Sequence, residues 1–439
     1  MTMGAVAGKA MTTSDDQPEA APRAFRHVPR LPDVGGVGWN FVAIYAAAYT
    51  GMWMALLSPV LVGLAMRVHA LDPAHATGSL SLVMGVGALL ALFGNPFFGQ
   101  LSDRTTSRFG MRRPWLIAGA LGGAAGLAIV ARAASVPQVL LGWCVAQLAY
   151  NAQLAALVAI LSDQVPPRQR GTVSGIVGVS LPVGMVGGTW LVQALSSSTQ
   201  AMFLTPAAVA VAGAVGLAWA LPDRRLAAAQ RPRYGLHEFL GSFWISPSRF
   251  PDFGWVWCSR FLLFAGVSVL MTYQGLYLIH QLGRPPAEVP RLIFLSTLVQ
   301  SGAVVVFSGV GGGLSDAVGR RKVFVFGAAL VYALALLVIA FAASYAWFLA
   351  GMAITGAGQG MYLAVDLALV TDVLPDREAH AARNLGIFNI ATVMPQSLMP
   401  AVASGVLAAS GGRYTVLFVV AAILVALGAW AIQPVRGVR

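Results

Sequence analysis

Charge is what this chain has least of: Asp, Glu, Lys and Arg make up only 10% of its 439 residues, while 57% are hydrophobic. That balance excludes a soluble domain built around one core, because too little polar surface exists to cover so much apolar material. Lysine is nearly missing, with two against 26 arginines, and the acids number only 16. Cysteine is confined to Cys144 and Cys258. Both lie in apolar runs, where they read as small core residues and carry no information about redox compartment. No basic flank followed by an apolar region opens the chain, so residues 1–38, polar and rich in Pro, Gly and Ala, read as a disordered tail and not as a signal peptide. A Gly-x4-Gly-Lys-Ser/Thr phosphate loop is missing, which argues against ATP-driven work. Nor does any His/Cys cluster or nucleophile constellation point to an enzyme, a metal or a cofactor.

Apolar runs long enough to cross a bilayer, about 20 residues each, are what the chain has in abundance. Twelve occur, near residues 39–66, 78–102, 114–134, 137–162, 171–195, 202–220, 255–279, 290–315, 323–342, 345–371, 383–408 and 414–433. The expected fold class is therefore all-α and integral to the membrane, with twelve transmembrane helices. The net charge of +12 could indicate nucleic acid, but 22 of the 28 basic residues fall in the tails and in every second connector. Only Arg67, Arg132, Arg284, Arg291 and Arg413 lie in the alternate connectors, and Arg260 lies within the seventh run. This is the positive-inside distribution, which places both termini in the cytoplasm and leaves no basic domain for nucleic acid. The wealth of Ala, Gly and Arg suggests a high-GC bacterium, and hence its plasma (inner) membrane.

The runs fall into two sets of six. Gly99-Gln-Leu-Ser-Asp103 after the second run is matched by Gly312-Gly-Leu-Ser-Asp316 after the eighth, each followed by a basic cluster (Arg112 and Arg113; Arg320, Arg321 and Lys322). Asp103 and Asp316 are 213 positions apart, as are Arg170 and Arg383, and Pro182 and Pro395. Duplication of a six-helix unit predicts two pseudo-symmetric bundles, 39–220 and 255–433, joined by a cytoplasmic linker, 221–254, and followed by a tail, 434–439. Parallel repeats of this kind are the plan of transporters in which one half rocks against the other. Gly-x-Leu-Ser-Asp-Arg followed by Arg-Arg resembles the loop signature of the major facilitator superfamily. The longer Leu-Ser-Asp-Arg-Thr-Thr-Ser-Arg-Phe-Gly-Met-Arg-Arg-Pro-Trp, together with Thr371-Asp-Val-Leu-Pro-Asp-Arg and Arg383-Asn-Leu-Gly-Ile-Phe-Asn, is similar to sucrose:proton symporters and to glycoside-pentoside-hexuronide:cation symporters.

The resemblance implies that Asp103, Arg104, Arg112 and Arg113, with Asp316, Arg320 and Arg321 in the second copy, form a gate tying the halves together on the cytoplasmic side. The alternative is that they are juxtamembrane anchors. Asp366 is the one acid well inside a run, six residues before Asp372, or roughly 9 Å deep at 1.5 Å per residue. Arg260, about five residues into the seventh run, lies at a similar depth. A charge there needs a partner or must titrate, so the two are expected to pair, as a proton-coupling device or as a structural bridge. The superfamily's arrangement places the first, fourth, seventh and tenth helices around a central cavity. Those runs carry Tyr45, Tyr49 and Trp53; Gln147, Tyr150 and Asn151; Tyr273, Gln274 and Tyr277; and Gln359 and Tyr362. Amides and phenols beside aromatic faces suit a neutral sugar or glycoside, although such groups also join helices to one another. Members that couple to sodium carry acids on the first two helices, whereas this chain has none there before Asp103. The expected function is proton-coupled sugar symport by a monomer through alternating access. Proton-coupled efflux of a drug or metabolite is the alternative.

Overall fold

A computed structural model of the chain describes residues 36–223, 250–318, 320–373 and 381–435. The N-terminal tail to residue 35, linker residues 224–249 and the last four residues lie outside it, as do the side chains of Asp316, Asp372 and Arg383. No strand occurs among the described residues. The helices are α1 (Trp39–Ser58), α2 (Leu64–Leu71), α3 (Ala76–Asp103), α4 (Arg113–Arg132), α5 (Val136–Gln164), α6 (Pro167–Gly178), α7 (Ser180–Ala194) and α8 (Thr199–Ala220) in the first half. The second half holds α9 (Pro251–His280), α10 (Val289–Val318), α11 (Arg321–Ala340), α12 (Tyr345–Val373), α13 (Ala381–Ala409) and α14 (Tyr414–Ala431). Residues 251–254, expected in the linker, already belong to α9, because proline is tolerated at the first helical position, where its missing N–H is not needed.

These helices make twelve membrane spans. Two spans are interrupted, and proline accounts for both. Pro59 has no N–H to give the preceding turn, and residues 59–63 widen so that the amide of Leu64 reaches back five residues to the Pro59 carbonyl, joining α1 to α2. The fifth span breaks at Val179, between α6 and α7, because Pro182 cannot donate to the carbonyl four residues earlier. Pro395, its counterpart 213 positions on, sits inside an unbroken α13.

The duplication read from spacing reappears in the packing. In the first half α1 packs on α7 and α8, α5 on α3 and α4, and α4 on α8. In the second, α9 packs on α13 and α14, α12 on α10 and α11, and α11 on α14. Each pairing has its counterpart at the matching position of the other six-span bundle. The halves meet where α3 packs on α13 and α7 on α10, two contacts that the same pseudo-symmetry exchanges. Small residues bring the helices close, as lipid-embedded packing requires. Gly142 of α5 faces Gly126 of α4, and a Cβ there would lie 2.7 Å from the Gly126 carbonyl oxygen. The end of the molecule carrying the 104–112 connector is called the basic face below, and the opposite end the far face.

Candidate functional site

Arg260 of α9 reaches Asp366 of α12 inside the second half, as the matched depths predict. Its Nη1 donates to Asp366 Oδ2, and its Nε donates to Thr392 Oγ1 of α13 at 2.7 Å. The guanidinium also lies 4.4 Å from the ring centre of Phe388, one turn before Thr392, and 5.2 Å from that of Phe264. One charged group is thus held by three helices through an ion pair, a hydroxyl and two aromatic faces. The Asp366 side chain is 3% exposed and that of Arg260 13%. Asp366 Oδ1 is buried with no hydrogen-bond partner. A carboxylate with one oxygen committed and the other open can accept a proton without breaking an existing bond, and neutralising it would loosen its hold on Arg260.

The polar and aromatic side chains of the four expected cavity helices divide into two groups. Helix packing claims the first. Tyr45 donates to the Leu157 carbonyl of α5 at 2.6 Å, and Tyr277 donates to the Ile339 carbonyl at the end of α11 at 2.6 Å while stacking on Phe348 and meeting Phe418 edge-on. The ring of Tyr150 packs over Gly123 of α4. Tyr273 bonds across the two halves, as described below. The hydroxyls of Tyr45, Tyr273 and Tyr277 are bonded to other helices, while the buried Tyr150 hydroxyl has no hydrogen-bond partner. Tyr362 is buried one turn before Asp366.

The second group consists mainly of amides. Asn151 Nδ2 donates to the Gln147 carbonyl at 2.8 Å and lies 3.3 Å from Gln147 Oε1, so the two form a unit on one face of α5. Gln274 is 2% exposed and its Oε1 has no partner. Tyr49 meets Tyr45 edge-on, and Trp53 and Gln359 are half-buried. Two further residues, Thr392 and Phe388, hold Arg260 but escaped the sequence reading, because a lone Thr or Phe in an apolar run carries no signal of its partner.

At the far face the halves are latched together. Ser81 of α3 and Tyr273 of α9 lie 2.5 Å apart through their hydroxyls, and Tyr273 also donates to the Pro400 carbonyl of α13 at 3.1 Å. Thr77 of α3 and Tyr414 of α14 are 3.0 Å apart, again hydroxyl to hydroxyl. Every hydrogen bond and ring contact described between the halves lies toward this face. None was expected, because nothing in the spacing of Ser and Thr marks an inter-half contact.

On the basic face the charge cluster is organised around Arg112, whose side chain is 6% exposed. Its guanidinium donates to Ser102 Oγ at 2.8 Å, pairs with Asp103 at 2.7 Å and donates to Asp163 at 2.8 Å. Burial by itself would lower its pKa, but the carboxylates of Asp163 and Asp103 outweigh burial and hold it above its ordinary value. Asp223, just beyond α8, accepts from the backbone amides of Arg112 and Arg113 at 2.7 and 2.8 Å, capping the start of α4 with a negative charge. Gly110 has φ 107°, and a Cβ there would lie 2.2 Å from the Asp223 carboxylate, so only glycine fits. Arg113 donates to the Leu221 carbonyl, and Lys322 makes the equivalent clasp in the second half, to the carbonyls of Gln433 and Val435. Arg104 follows the end of α3; Arg320 and Arg321 begin α11. Asp316 lies outside the described side chains. The described side-chain partners of Arg112 stand at helix ends of the first half, on α3 and α5 beside the start of α4.

The sequence pattern of the Major Facilitator Superfamily matches residues 41–300 and again 256–437. No curated protein sequence matches the chain. Among solved structures, a mutant of the nucleoside transporter NupG is similar with a TM-score of 0.71 at 14% identity, covering 90% of this chain and 99% of the other. A bacterial homologue of the human lysosomal transporter Spinster gives 0.67 at 16% identity, covering 91% and 98%. The human organic anion transporter MFSD10 gives 0.61 at 18%, covering 89% and 99%. At such identities these structures speak for the fold, and the family match covers nearly the whole chain. It belongs to the Major Facilitator Superfamily and is a secondary active transporter, not an enzyme.

Proposed function

We propose that the protein is a proton-coupled symporter of a small neutral polyhydroxylated molecule, a sugar or glycoside, working as a monomer by rocking of residues 39–220 against 255–433. The observation that carries this reading is the membrane-buried Asp366, paired with Arg260 through one oxygen and open at the other. Protonation of Asp366 would weaken the pair, free α12 to move relative to α9 and α13, and so link proton occupancy to the equilibrium between two states. The substrate class rests on Gln147, Asn151, Gln274 and Gln359, together with Tyr49 and Trp53 of α1. Amides both donate and accept, as sugar hydroxyls do, and aromatic faces cover sugar C–H surfaces. A nucleoside is itself an N-glycoside, which makes nucleosides natural members of a test panel. With the basic face in the cytoplasm of a bacterial plasma membrane, the latched far face faces outward, and the conformation described is closed to the outside.

Proteoliposomes with an internal pH dye test this directly. A panel of sugars, nucleosides and organic anions is added with native protein and with Asp366→Asn. Acidification of the lumen on addition of one sugar or glycoside, lost in the variant, is the expected result. Silence toward every polyhydroxylated compound, with proton movement driven by lipophilic drugs, would replace symport by efflux.

A further inference from the structure

The far-face latch has a third rung, outside the two hydroxyl contacts. His69 of α2 and His280, the last residue of α9, face each other with ring centres 5.4 Å apart and planes at 72°. His280 in turn stacks on Tyr414, 6.1 Å away at 6°, and Tyr414 reaches back across the seam to Thr77. One imidazole therefore comes from each half, and both belong to the contact that keeps the far face shut. His280 is exposed, so protons of the far compartment have direct access to the pair.

The closed arrangement is poorly suited to holding two protons here. His69 Nδ1 is buried without a hydrogen-bond partner. Two imidazolium rings at this spacing would repel each other. The surrounding charged and titratable groups do not relieve this. Asp72 is engaged by His75 and Ser79, Arg67 donates to the Ala133 carbonyl, and Arg413 donates to the Ser410 carbonyl. Tyr273, Tyr277 and Tyr414 are the phenols nearby. Among the described residues no hydrogen bond or ion pair brings a carboxylate to either ring. Opening the seam separates the rings and so removes that repulsion.

We infer that the His69–His280 pair is an acid-operated latch: it lets the far face close while the rings are neutral and drives it open when both are protonated. The latch is distinct from Asp366, which lies toward the basic face on another helix, and it does not depend on the nature of the substrate. Its effect is to expose the binding site to the far compartment when that compartment is acidic, the condition under which a proton can be loaded there.

Spin labels at Ala74→Cys and Ala287→Cys, both exposed far-face positions, report the opening as a distance, in full-length protein in nanodiscs with Cys144 and Cys258 replaced by Ala. From about pH 8 to about pH 5 the ratio of long to short distances should rise by roughly tenfold or more. The His69→Gln/His280→Gln protein should show no such rise, and His280→Phe, which keeps the stack on Tyr414, should behave like it. A response that persists without the two histidines, or one that is missing in the native protein, would each overturn the latch.

Discussion

Removing the Asp366 carboxylate alone should destabilise the protein more than removing both charges of the pair. Deleting one partner of a buried ion pair generally costs about 3–5 kcal/mol, because the other charge is stranded. In Asp366→Ala the Arg260 guanidinium keeps Thr392 and the faces of Phe388 and Phe264. It is therefore not left wholly without support, which places the expected loss near the lower end, about 3 kcal/mol. Arg260→Ala should cost less, since an isolated buried carboxyl escapes its penalty by taking up a proton. The double variant Arg260→Met/Asp366→Leu strands nothing and should come within about 1 kcal/mol of the native protein, giving a coupling energy of about 2 kcal/mol or more. The assay is denaturant unfolding of all four proteins in one detergent, with uptake measured in parallel. The double variant should fold and yet fail to accumulate substrate. An Asp366→Ala protein as stable as the native one, or a double variant less stable than either single, would refute the argument.

Two further outcomes follow from the same geometry. Arg112→Lys should be destabilised although the charge is kept, because one ammonium cannot serve Ser102, Asp103 and Asp163 as the guanidinium fork does; the loss, about 1–2 kcal/mol given the partly exposed acids, is read from the unfolding midpoint. Tyr273→Phe removes the hydroxyl shared by Ser81 and the Pro400 carbonyl; at about 1 kcal/mol per hydrogen bond it should shift the equilibrium roughly fivefold toward far-face opening, visible as faster labelling of a far-face cysteine.

The number of spans, the duplication and the depth of the two buried charges were determined by the sequence itself. Bilayer thickness sets the length of an apolar run, and a charge inside such a run is rare enough to stand out. Because Asp366 and Arg260 could be placed at the same depth by counting residues, their pairing was legible before any coordinates. Which way each helix turns was not. In a membrane the lipid-facing and core-facing sides of a helix are equally apolar, so the periodicity that reveals a buried face in a soluble protein is missing. Only the tertiary structure could therefore show Tyr45 and Tyr277 bonded to other helices while the Tyr150 hydroxyl and Gln274 Oε1 stay open. It alone joined Arg112 to Asp163, 51 positions along the chain, and closed the far face with Ser81, Thr77 and two histidines. Those contacts depend on the rotation of each helix and on the relative position of the two halves, which hydrophobicity along a single chain does not encode.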